Sequence, residues 1–299
     1  MQQIDGQWQT DVYADELPLQ SLQRISQLPA EVLIDAAEKG AVWASLQRGK
    51  GRTRPRRLRS VNTAISEGSS VMLNYNSQVL AAKPQLMRCI AEHVNYGIWF
   101  KPSGMMCQGS KWSDHTVVTQ VVAGICGRSC FLVHRLDRAA CGLIVIAYTK
   151  NAQRKLAALF EQRRIGKTYV AQLAGKCAFE TPLTLTSPID DKPAVTRIKQ
   201  QLYNAEADAT TVMMAIETGR KHQIRKHLAD IGHPIVGDRL YGTPGIGAAD
   251  TKNLQLVASG LDFQCPFSVK SIQVNIDAEH ALAGGLPVAN TDSPNNSGK

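Results

Sequence analysis

Between Asn95 and Phe267 the chain sets short β-rich runs close together and gives only two stretches a helical period, which restricts it to an α+β fold on a mixed or mainly antiparallel sheet. The runs are Ile98-Trp99-Phe100, Phe131 to Asp137, Leu143 to Tyr148, Thr168 to Leu173, Ala194 to Lys199, Thr211 to Glu217 and Leu254 to Ala258. Lys150 to Arg163 has the first helical period, with Ala152, Leu156, Leu159 and Phe160 on one side. In the second, Ile224, Leu228 and Ile231 share a face, Gly232 supplies a left-handed stop and Pro234 prevents continuation.

Ahead of this region, Leu17 to Asn76 reads as helix, helix, short strand, basic loop, strand. Val32, Leu33, Ala36 and Ala37 have helical spacing before Gly40 closes the element, and Ala41 to Ala44 and Val71 to Leu73 flank the loop as strands. The expected organisation is a small module over residues 15–80, a connector over 81–94, a main domain over 95–280 and a disordered tail over 281–299 that is rich in Gly, Pro, Asn and Ser.

At 299 residues and 43% hydrophobic content the chain can bury a proper core. No apolar run approaches the roughly 20 residues that span a bilayer, and Met1 to Thr10 lacks a secretory apolar core, so a cytoplasmic location is expected; the chain is also expected to be a monomer. Seven cysteines, an odd number in scattered contexts, read as buried reduced thiols. A formal charge of +9 suggests a polyanionic partner. Arg48, Lys50, Arg52, Arg54, Arg56, Arg57 and Arg59 crowd one Gly/Pro-containing stretch, a density that suits phosphate contacts and marks them as candidates for binding nucleic acid.

The chemistry concentrates in His134-Arg135-Leu136-Asp137, followed by Arg138-Ala139-Ala140-Cys141-Gly142. An acid between two arginines at a strand end, before a glycine that permits a tight turn, suits catalysis better than packing. Arg225, at the rim of the second helix's apolar face, is the expected ion-pair partner of Asp137. His222, His227 and His233 are spaced five and six apart, not the four that puts two metal ligands on one helical face, and Asp190-Asp191 between prolines reads as a turn.

Taken in order, His134-Arg135-Leu136-Asp137 with Gly142-Leu143, Lys167-Thr168-Tyr169-Val170-Ala171, Gly219-Arg220-Lys221-His222-Gln223-Ile224-Arg225 and Gly232-His233-Pro234-Ile235-Val236-Gly237-Asp238 resemble the RluA family of RNA pseudouridine synthases, and Leu256, Ala258, Leu261, Phe263 and Pro266 are similar to its final motif. The resemblance implies the pseudouridine synthase fold, an α+β domain with a long mixed, mainly antiparallel sheet around a central cleft. It also implies isomerisation of uridine in ribosomal or transfer RNA, ribosomal RNA being favoured, without cofactor or metal. Asp137 would then be the catalytic aspartate, acting as nucleophile or as base on a sugar proton. Arg225 would keep it charged, Tyr169 would lie against the base, and Arg135 would enter the stack left by a flipped nucleotide. The module over 15–80 resembles, in degenerate form, the alpha-L RNA-binding domain. Ala140-Cys141 stands where the family usually has Thr-Ser. A second reading is a non-catalytic RNA-binding or assembly factor on the same fold.

Overall fold

The computed structural model describes residues 5–242 and 253–287. They divide into two compact units, one of residues up to Gln85 together with Gln108–Val121, the other of Leu86–Cys107 and residues from Val122 onward. Most of the expected tail, 288–299, lies outside the described residues, and its beginning is ordered in a terminal helix. Among the described residues no helix is long and apolar enough to cross a membrane.

The first unit contains β1 (Gly6–Asp11), α1 (Pro18–Ser26), α2 (Ala30–Glu38), β2 (Val42–Ser45), the short strands β3 (Gln47–Arg48), β4 (Gly51–Arg52) and β5 (Arg56–Arg57), then β6 (Ser70–Tyr75) and α3 (Ser77–Ala81). Its sheet runs β1-β6-β2-β5, all antiparallel. Leu22, Leu33, Ala36, Val42, Val71 and Leu73 form its core, which confirms the helical spacing read before Gly40. The module begins earlier than residue 15, because β1 pairs with β6 along its whole length. It also takes in chain from later in the sequence. Asp114 receives Arg57 at 2.9 Å and Arg59 at 2.6 Å, Arg57 Nη2 donates to the Ser110 carbonyl at 2.6 Å, and Trp43 Nε1 donates to the Lys111 carbonyl at 3.0 Å. Gly40, at φ +83, leaves room for this cluster; a Cβ there would collide with Asp114 Oδ1.

The second unit contains β7 (Arg88–Glu92) and β8 (Tyr96–Lys101). After α4 (Val118–Cys126) come β9 (Phe131–Leu132), β10 (Cys141–Ala147), α5 (Lys150–Glu161), β11 (Gly166–Ala174), β12 (Leu183–Leu185), β13 (Thr196–Asn204), β14 (Ala209–Ile216), α6 (Gln223–Asp230), β15 (Leu256–Gln264), β16 (Ser271–Asn275) and α7 (Ala278–Leu282). Eight strands lie in the order β12-β13-β14-β11-β15-β10-β8-β7, with β16 beside β15 and β9 beside β10. The β10–β15 pair is parallel and the other pairs are antiparallel, so the sheet is mixed and mainly antiparallel as expected. The expected connector is partly strand, since β7 pairs with β8.

Alternation along β11 sends Val170 to one face and Tyr169, Ala171 and Leu173 to the other. On the first face Val170 joins Leu143, Val145 and Val257 beneath Leu156 and Leu159 of α5. On the second, Ala171, Leu173, Val212 and Met214 receive Ile224 and Leu228 of α6. A helix thus covers each face, and α6 shares its face with Tyr169.

Two sequence expectations change here. Gly142 does not make a turn: it lies within β10 at φ +121, and a Cβ would collide with the backbone of Ala258 on the parallel neighbour β15. The cysteines are free, but Cys107, Cys141 and Cys177 alone are buried, whereas Cys89 is exposed and Cys126, Cys130 and Cys265 are half-buried.

Candidate active site

Asp137 sits in the loop joining β9 to β10. The expected strand over Phe131 to Asp137 stops at Leu132, and side chains then take over from the ladder. Upstream of the acid, His134 Nε2 accepts from Val145 N at 3.0 Å, and Leu136 N donates to Cys107 Sγ at 3.4 Å. Downstream, the Arg138 carbonyl accepts from Gly104 N at 2.7 Å, and the Ala139 carbonyl accepts from Ser103 Oγ at 2.6 Å. Each anchor satisfies a backbone group that lost its ladder partner, which ties the loop down on both sides of Asp137.

Lys101 completes this clamp from the end of β8. Its ammonium is fully buried and donates to the carbonyls of Pro102 (2.9 Å), Met105 (3.0 Å) and Arg138 (3.3 Å). Burial pushes its pKa down to about 8, while the three carbonyls give each of its N–H groups an acceptor. Sequence reasoning took Lys101-Pro102-Ser103-Gly104 as a strand entering a turn. The missed signal was a lysine closing an otherwise apolar strand.

Arg225, 4% exposed on α6, makes the expected ion pair with Asp137 and holds a second acid more closely. Its strong partner is Asp238, reached by Nε and Nη2 at 2.7 Å each, whereas Nη1 lies 3.6 Å from Asp137 Oδ2. A fork that matches two carboxylate oxygens is the tighter geometry, and Asp238 offers it because the turn after Gly237 points it at α6. Asp238 Oδ1 also accepts from Leu240 N at 3.0 Å and Tyr241 N at 3.1 Å. Burial opposes its charge, yet the hydrogen bonds from Arg225 and these amides outweigh burial and hold its carboxyl below the usual range. Asp137 therefore meets one corner of an arginine already fixed elsewhere.

On the other side of Asp137, His222 Nε2 stands 3.8 Å from Oδ1. Tyr169, half-buried on β11, follows an irregularity in the β11–β15 register between Thr168 and Tyr169, a local break that re-aims side chains. Burial and the charge of Asp137 both push its phenol up, so it keeps its proton at neutral pH. Arg135 is exposed beside the acid in sequence. A cleft of about 540 Å³, within the size range of small-molecule sites, is lined by Ser103, Gly104, Arg138, His222, Arg225 and Arg239 among others. Ala140 and Cys141 face the apolar interior, with Cys141 Sγ 3.7 Å from the Leu256 carbonyl. Where the resemblance leads to the expectation of Thr-Ser, this chain thus carries groups suited to packing.

In the first unit the basic stretch splits. Arg57 and Arg59 are held by Asp114, and Arg52 pairs with Asp11 at 2.8 Å and donates to the Gly68 carbonyl at 2.7 Å. Arg48, Lys50, Arg54 and Arg56 are exposed, and among the described residues their side chains have no partner. Of the seven cations expected to bind phosphate, Arg57 lies over the Trp43 ring at 4.5 Å and is drawn into the unit's own structure.

The sequence profile of the RNA pseudouridylate synthase family matches residues 95–230. The dual-specificity RNA pseudouridine synthase RluA of Escherichia coli (strain K12) is 36% identical over 160 residues, covering 48% of this chain and 72% of that protein. RluA of Salmonella typhimurium is 32% identical over 195 residues, covering 60% and 87%. Among solved structures, human RNA pseudouridylate synthase domain containing 1 is similar in fold, with a TM-score of 0.56 and 20% identity over 71% of this chain and 94% of that one. The human domain containing 4 protein gives 0.51 and 20%, over 65% and 92%.

Proposed function

The chain belongs to the RluA family of RNA pseudouridine synthases, enzymes that isomerise uridine in RNA, and we propose that Asp137 is its catalytic carboxylate. The carrying observation is the bracketing of Asp137. Both carboxylate oxygens face a side-chain nitrogen, yet at 3.6 and 3.8 Å neither is engaged in a direct hydrogen bond, so the carboxylate is bracketed and still available to react.

Isomerisation breaks the bond between uracil N1 and the sugar C1′, turns the base, joins C5 to C1′, and releases the C5 proton while N1, which kept the electron pair of the broken bond, takes one up. Asp137 serves either by attacking C1′ or by removing a sugar proton; both require an ionised carboxylate at the glycosidic bond. The Tyr169 ring stacks on the base with its protonated hydroxyl towards the carbon that loses hydrogen. The target nucleotide leaves its stack at a cost of a few kcal/mol, and the planar guanidinium of Arg135 fills the place it leaves.

The first unit binds the surrounding RNA through Arg48, Lys50, Arg54 and Arg56, with Arg52 and Arg59 turning their exposed sides to the same ligand. An appended module with this exposed charge favours ribosomal over transfer RNA as substrate. The enzyme works as a cytoplasmic monomer, with no metal or cofactor in the reaction.

The decisive experiment is tritium release from RNA labelled at uridine C5, using total RNA from cells that lack this gene. The native protein should release tritium, and Asp137→Asn should lose at least a thousandfold in rate while retaining RNA affinity. Tight binding without release by the native protein would instead favour the non-catalytic reading.

A further inference from the structure

Gly219-Arg220-Lys221-His222 leads into α6, and His222 occupies its N-cap position in the left-handed region at φ 57 and ψ 25. That conformation is unfavourable for an L side chain, although histidine enters it more readily than most. Capping gives no reason for it, because the His222 side chain makes no cap hydrogen bond. Gln223 Oε1 accepts from Arg220 N at 3.1 Å and from Thr218 Oγ1 at 2.6 Å, closing the turn without it. What the strained backbone achieves is the aim of the imidazole.

The ring lies between two groups. Nδ1 is 2.9 Å from the Tyr241 hydroxyl, with the rings edge-on at 5.6 Å, and Nε2 is 3.8 Å from Asp137 Oδ1. Tyr241 is itself fixed, since its backbone N–H donates to Asp238 and the Arg225 guanidinium lies 5.1 Å from its ring centre. A phenol that donates to Nδ1 leaves the imidazole proton on Nε2, facing the carboxylate. Burial, joined by the positive charges of Arg225 and Lys221, keeps the imidazole below its ordinary pKa against the opposing pull of Asp137 and Asp238, so it presents this N–H as a neutral ring.

We propose that His222 is a positioning residue for uridine isomerisation, its Nε2–H, set by Tyr241, holding Asp137 Oδ1 while Arg225 holds Oδ2. The idea rests on Asp137 being the reacting carboxylate. Two donors on opposite oxygens fix the rotation of a carboxylate, which a single arginine corner cannot do. Neither donor lies close enough to occupy an oxygen in the free enzyme, and both can tighten as charge moves during the reaction.

The test is single-turnover tritium release from RNA labelled at uridine C5, with His222→Leu, His222→Gln, Tyr241→Phe and Asp137→Asn assayed together. His222→Leu removes the N–H and should lower the maximal rate about ten- to a hundredfold with half-saturating RNA unchanged. His222→Gln, whose amide can reach the Nε2 position, should recover most of that loss, and Tyr241→Phe should lose several-fold. Full activity of both His222→Leu and Tyr241→Phe, with Asp137→Asn inactive, overturns the role of His222 and leaves the reading of Asp137 standing. An active Asp137→Asn overturns that reading and this inference with it. A loss in His222→Leu that is not recovered by glutamine, or that tracks weakened RNA binding, also overturns the inference. Should His222→Leu fail to fold, the glutamine and phenylalanine variants decide alone, native rates in Tyr241→Phe counting against the proposal.

Discussion

Arginine is used in opposite ways at α6 and in the basic stretch of the first unit. Arg225 is buried and committed to Asp238 through two 2.7 Å hydrogen bonds, with only one corner of its guanidinium turned to Asp137. Arg48, Lys50, Arg54 and Arg56 stand in solvent, and among the described residues their side chains have no partner. Arg57 shows that the contrast is set by environment and not by sequence neighbourhood: within the same stretch it is half-buried and spent on Asp114, Ser110 and Gly40. The lesson is that a count of basic residues overstates an RNA surface, because charge that folds the protein is not available to a phosphate.

The largest effect expected from this contrast follows Asp238→Ala. It strands a buried guanidinium and should cost about 3–5 kcal/mol in urea unfolding, with loss of activity. A cost below about 1 kcal/mol would mean that Asp137 moves in to replace the missing acid, and the distinction between primary and corner partner would fail.

His134 represents a third solution, a ring kept neutral. It accepts from Val145 N, stacks on Phe160 at 4.1 Å, and is pushed down to about 3, chiefly by burial and then by Lys167. Its folded pKa lies below the unfolded value of about 6.5, so the unfolded chain takes up the proton first. Stability should be complete above pH 6.5 and fall by at most about 1.4 kcal/mol per pH unit as pH drops towards 3. Melting curves from pH 7 to pH 4.5 would measure this, and a His134→Gln variant with an equally steep acid slope would assign the loss elsewhere.

The smallest stability effects separate the two kinds of arginine within one stretch. Arg57→Gln should destabilise the first unit by about 2 kcal/mol, discounted for its partial exposure, and scarcely alter the salt dependence of RNA binding. Replacing Arg48, Lys50, Arg54 and Arg56 together by glutamine should leave stability within about 0.5 kcal/mol but flatten the slope of log affinity against log salt by about 3. An unchanged slope would remove these four from the RNA surface.

Much of the second unit was legible from periodicity. Ile224 and Leu228 are buried on α6 and Gly232 takes a positive φ of 81, as the apolar face and its stop predicted. Asp137 and Arg225 were recognisable as residues out of place in a packing pattern and their ion pair was read from sequence, but the closer hold of Asp238 on the arginine was not. Sequence displays two aspartates that the arginine could serve, and only the turn after Gly237 decides which receives the fork. Lys101, His222 and Tyr241 were hidden for a related reason. Their roles come from hydrogen bonds to carbonyls and side chains distant in sequence, which leave no periodic trace. Val133–Asp137 was read as the continuation of a strand because its composition is strand-like, whereas the loop over Val133–Ala140 has its backbone satisfied by Lys101, Ser103 and Cys107.

The return of Ser110 and Asp114 to Arg57 bears on how the chain is made. A nascent polypeptide that has emerged only as far as Gln85 possesses every strand of the first sheet but not the acid that neutralises its inner arginines. Vectorial synthesis therefore delays completion of the amino-terminal unit until β7 and β8 of the following unit have already been translated. Truncating at the apparent boundary would yield a fragment in which Arg57 and Arg59 lack their acid, so the first unit finishes folding only once chain well beyond Gln85 has emerged.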